Sequence, residues 1–88
     1  MRLKFDFVFE QVGSVVLGVV VGLDEYRYKH FLRLNELSYD IVKHLKYDCS
    51  EQELINKFLS EYDVEVDVAK ITIDCVLKSL RESGVIES

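Results

Sequence analysis

The 88-residue sequence predicts an α+β fold, a three-stranded antiparallel sheet followed by a three-helix bundle. Three observations carry this expectation. Apolar residues in the first third alternate at period two or form β-branched runs, the mark of strands. At Asn35 the period changes to helical spacing and stays helical to about residue 83. Capping chemistry stands at the junctions: Asn35, the Ser50–Glu53 capping box and Gly84.

The elements follow in order. Phe5, Phe7 and Phe9 alternate with Asp6, Val8 and Glu10, a half-buried strand. Gly13-Ser14 signals a turn. Val15–Val21 is a nearly unbroken β-branched run, which suits a central strand covered on both faces. Gly18 interrupts it and marks a bulge or a close backbone approach. A charged loop with two tyrosines, Leu23–Lys29, leads to a third strand, His30–Leu34. There His30, Leu32 and Leu34 share one side, and Phe31 and Arg33 the other. A meander is the simplest arrangement, since neighbours in sequence usually pair in space.

The first helix runs from about Glu36 to Lys46, with Leu37, Ile41, Val42 and Leu45 recurring on one face and His44 four residues after Asp40. The second places Leu54, Ile55, Phe58, Leu59 and Tyr62 on one stripe. After the turn Asp63-Val64-Glu65, the third helix extends from about Val66 to Ser83, and Val85-Ile86 folds back as an apolar tail. Its core face is Ala69, Ile73, Val76, Leu77 and Leu80. A second, nearly uncharged face holds Val68, Ile71, Thr72, Cys75 and Ser79. One core needs one apolar stripe, so this second stripe suggests another chain against it.

Composition narrows the function. A chain this short builds one modest core (residues 1–88 as one domain) and no deep pocket. The net charge is −5, with +1 over residues 1–34 and −6 over residues 35–88, and the acidic helical half repels nucleic acid. Cys49 and Cys75 form no CxxC pair and suit a reducing, cytoplasmic setting. The apolar run Val12–Leu23 falls short of the roughly 20 residues that span a bilayer, and no cleavage pattern follows it. No zinc-like spacing, phosphate loop, nucleophile motif or CxxxCxxC is present, so no cofactor or metal is expected and the chain does not read as an enzyme.

At this point the chain resembles the PqqD family, named for coenzyme PQQ synthesis protein D. The carriers are Leu34-Asn35-Glu36 opening a helix, Ile41, Glu53-Leu54, Leu59, Tyr62-Asp63-Val64, Ala69, Ile73, Leu77, Leu80 and the close Ser83-Gly84-Val85-Ile86-Glu87. The resemblance implies a winged helix-turn-helix-like fold. It also implies that the chain binds the leader segment of a ribosomally made precursor peptide and presents it to a modifying enzyme, often a radical SAM protein. The leader would add as a strand beside His30, Phe31, Leu32, Arg33 and Leu34 and pack on Val68, Ile71, Thr72, Cys75 and Ser79. Val68, Ile71 and Cys75 depart from that pattern by being more apolar than expected, as does the charged loop Asp24–Lys29.

Other readings stand beside this one. The third strand's edge is also open to the chain's own tail, Glu82–Ser88, or to a second copy, so monomer and homodimer remain alternatives. Arg33 reads either as a partner for acidic leader residues or as an edge charge that blocks aggregation. Phe31 reads as core, and Cys75 as a small packing residue. A winged-helix DNA binder is the principal alternative, opposed by Asp67, Asp74 and Glu82 on the helix that would read the groove.

Overall fold

A computed structural model describes residues 1–21 and 31–87, Phe31 by its backbone alone. The order is β1 (Arg2–Leu3), β2 (Phe7–Val12), β3 (Val15–Val20), β4 (Phe31–Asn35), α1 (Glu36–Val42), a 3-10 turn (Lys43–Lys46), α2 (Glu51–Glu61), α3 (Val66–Glu82) and β5 (Ile86–Glu87). β2, β3 and β4 form the antiparallel meander, in that spatial order. The expected α+β arrangement is therefore present, with the first strand of the meander beginning two residues later than the alternation suggested.

The β2–β3 hairpin turns on Gly13-Ser14, with Val12 opposite Val15 and Gly13 at φ +63°. Glycine at the first loop position with positive φ is the pattern of a type II′ hairpin, whose twist matches its strands. Gly18 makes no bulge: the register runs unbroken from Phe9 through Gly18 to Leu32. Its reason is an aromatic ring. A Cβ on Gly18 would lie 2.7 Å from Cε1 of Phe9. The missing side chain lets Phe9 lie across the central strand, stacked on Phe7 at 5.7 Å and against Tyr39 of α1 at 5.2 Å.

Among the described residues the central strand is covered on one face only, contrary to the expectation from its apolar run. Val16 and Val20 are buried, whereas Val19 and Val21 on the opposite face are 39% and 48% exposed. The core explains this. Phe7, Phe9 and Leu34 pack from one face of the sheet onto a cluster of Leu32, Ile41, Leu45, Leu54, Phe58, Ile73 and Leu77.

The helices begin where their caps stand. Asn35 accepts from the amide of Ser38 at 2.7 Å, and Ser50 and Glu53 exchange both bonds of a capping box. The first helix tightens to 3-10 after Val42, a common helix ending. Leu37, expected on its buried face, is 37% exposed because its first-turn position falls at the rim of the core. α3 closes with a Schellman motif: Gly84, at φ +72°, donates to Arg81 O at 3.0 Å, and Val85 donates to Leu80 O at 3.3 Å.

That motif turns the tail inward. Val85 and Ile86 are buried, and β5 pairs with β1 through Arg2–Glu87 and Leu3–Ile86, an element with no signature in the sequence. Arg2 Nε meets Glu87 Oε1 at 2.7 Å. The expected His44–Asp40 pair is replaced by an interhelical clasp. His44 Nε2 lies 2.9 Å from Glu61 Oε1 of α2, while Asp40 takes the Tyr62 hydroxyl and Lys43.

Candidate functional site

The described sheet ends at β4. Among the described residues no strand pairs with its outer edge, and the tail that could have covered it is committed to β1. An edge strand turns alternate N–H and C=O groups outward, which are unsatisfied until water or another strand meets them. Asn35 ends β4 and caps α1 at once, so the edge is fixed to the helical core without a linker.

The side chains of β4 divide by parity. Leu32 is 5% exposed and belongs to the core, so it offers an incoming strand its backbone only. Leu34 is half-buried against the same core. Arg33 is exposed and has no ion-pair partner among the described residues. The Phe31 backbone pairs with Val19. His30 and the charged loop lie outside the described residues.

The second face of α3 is open. Val68 is 48% exposed and Ile71 65%, and Cys75 and Ser79 are exposed beside them. Cys75 is a free thiol. Thr72 differs from the expectation: it is half-buried, and its hydroxyl donates to Val68 O at 2.8 Å. A hydroxyl bonded back to the preceding turn is engaged within its own helix. Val64 and Val66 are exposed as well, at 36% and 50%, but Val66 lies about 200° round the helix from Val68 and stands off this stripe. Leu32 and the α3 residues Ile73 and Leu77 share one cluster, so strand and helix rest on a common core.

Perturbed ionisable groups lie in the scaffold rather than on these surfaces. The Tyr62 hydroxyl holds the Asp40 carboxyl below its usual range, and the tyrosine is itself pushed up to about 12. Burial raises the Cys49 thiol, and Asp74 raises the Glu51 carboxyl beside it. No group of three His, Cys, Asp or Glu side chains suited to a metal comes together among the described residues, and no described helix is long and apolar enough to cross a membrane.

The family model of coenzyme PQQ synthesis protein D (PqqD) matches residues 15–86, from the central strand to the closing tail. The chain belongs to the PqqD family. Two solved structures share this PqqD-family fold over nearly the whole chain. TbiB1 in complex with the TbiA(beta) leader peptide superposes with a TM-score of 0.75 at 15% identity, over 100% of this chain and 96% of that one. Lasso peptide synthetase B1 complexed with the leader peptide gives 0.70 at 24% identity, over 99% and 96%. No curated protein matches the sequence.

Proposed function

We propose that this PqqD-family chain is a non-catalytic, cytoplasmic peptide adaptor. It binds the leader segment of a ribosomally synthesised precursor and presents it to a modifying enzyme, a radical SAM protein in the first instance. The observation that carries the reading is the outer edge of β4, open among the described residues while the tail pairs elsewhere. The leader adds there as a fourth strand. Main-chain bonds supply affinity, and side-chain contacts on α3 supply specificity. Val68 and Ile71 are the exposed apolar contacts, and Cys75 and Ser79 leave room between them. His30, Phe31, Arg33 and Leu34 complete the strand side. Family membership and the two neighbours, each solved with a leader peptide, support the reading.

Bringing precursor and enzyme onto one carrier raises their effective concentration, which needs no chemistry from the carrier. The test is an NMR titration of the labelled chain with the N-terminal segment of the precursor encoded beside it. Amide shifts concentrated at residues 31–35 and 68–79 are expected. Saturable binding whose shifts fall elsewhere refutes the site, and no binding refutes the function.

A further inference from the structure

Among the described residues the sheet has a second uncovered surface, its outer face, opposite the core. Strand pairing sets three rows across it: Val8–Val19, Glu10–Leu17–Arg33 and Val12–Val15–Asn35. Val8 is 58% exposed, Val12 59% and Val19 39%, and Val15 and Leu17 are half-buried. A sheet face turned to water normally carries polar residues at these positions. Here the centre is aliphatic, and one acid and one base flank it on opposite strands. Neither Glu10 nor Arg33 has an ion-pair partner among the described residues.

We propose that this face docks on the same face of a second copy, giving a two-fold dimer of stacked sheets. The charges select the symmetry. A two-fold axis parallel to the strands, lying over Leu17, sets β2 of one copy above β4 of the other. Glu10 then faces Arg33 of the second copy twice, and Val15, Leu17 and Val19 stack on their own counterparts. An axis across the strands would instead set Glu10 on Glu10 and Arg33 on Arg33, which like-charge repulsion disfavours. Sheets packed face to face keep their strands within about 30° of alignment, as the first axis requires.

The size of the face sets the strength. Three short strands cover roughly 15 by 20 Å, or about 300 Å² per copy. That belongs to the small, transient class of interfaces, with dissociation constants weaker than about 1 μM. The dimer leaves the outer edge of β4 open.

The test is sedimentation velocity on the full chain, from about 10 μM to about 1 mM, the range that a weak interface requires. The wild type should pass from monomer to dimer. Glu10→Lys alone and Arg33→Glu alone should each weaken association by roughly tenfold or more, because each homodimer then holds two like-charge contacts. An equimolar mixture of the two variants should dimerise again, because both contacts between unlike copies become complementary. Val8→Lys should abolish dimers and leave the far-UV spectrum unchanged. A wild type monomeric at about 1 mM overturns the proposal. So does a dimer indifferent to Val8→Lys, which would signal edge-to-edge pairing, and so does a mixture that fails to reassociate.

Discussion

The two long faces of α3 are both nearly uncharged and opposite in fate. Ala69, Ile73, Leu77 and Leu80 are at most 2% exposed, whereas Val68 and Ile71 are 48% and 65% exposed. Both stripes recur at helical spacing, but one core takes one stripe, and the second is left for a contact outside it. The difference lies in what the fold supplies: α1, α2 and the tail strand β5 pack over the first stripe, and the described residues leave the second uncovered. An apolar surface left in water by a small domain is a surface kept for contact.

The strongest way to break this comparison is to treat the faces alike. Leu77→Ala removes a fully buried side chain from the cluster shared with α1, α2 and β4, and should cost about 3 kcal/mol in denaturant unfolding. Ile71→Asp should change stability by no more than about 0.5 kcal/mol, since its site is already in water. It should weaken leader binding roughly tenfold or more in calorimetry, by setting a charge in the apolar contact. If Ile71→Asp destabilises like Leu77→Ala, the second face is structural and the comparison collapses.

A smaller change probes the junction of the two halves. Asn35→Ala removes the bond to the Ser38 amide and should cost about 1 kcal/mol in thermal or denaturant unfolding. Because Asn35 also ends β4, amide exchange should quicken along residues 32–35 more than along α3.

The outline of the fold was legible because local chemistry and tertiary structure agree there. Asn35, the Ser50–Glu53 box and Gly84 each act within a few residues, so their roles survive without knowledge of neighbours. What escaped depended on distant partners. β1 and β5 are two-residue strands with no period to read, and they exist because a Schellman turn aims Val85 inward. An unbroken β-branched run cannot say whether one face or both are covered, and the outer face of β3 proved open. His44 met Glu61 across the helices instead of Asp40 along its own. At the candidate site, exposure of Val68, Ile71, Cys75 and Ser79 followed from the helical wheel. The burial of Leu32 and the engaged hydroxyl of Thr72 did not, because each is decided by one specific neighbour.

The Asp40–Tyr62 clasp behind the core separates stability from binding by pH. Tyr62 donates to the Asp40 carboxylate, which lowers the acid and raises the phenol to about 12. A depressed carboxyl contributes stability above its unfolded value, near 3.8, and loses it as pH falls through the lower folded value. A raised phenol contributes below its unfolded value, near 10.0, and loses it as pH climbs towards about 12. Tyr62→Phe keeps a ring to stack on Phe58, at 4.7 Å in the native chain, and deletes only the hydrogen bond. The stability difference between wild type and Tyr62→Phe should therefore form a plateau of about 1 kcal/mol from about pH 5 to 9, shrinking on both sides. Taking the difference cancels groups common to both proteins, including the raised Glu51 carboxyl. Leader affinity, which we propose rests on the other face of α3 and on main-chain bonds at β4, should not follow that plateau. An affinity that tracks it would mean that the clasp positions the docking surfaces, and that the two faces of α3 are coupled.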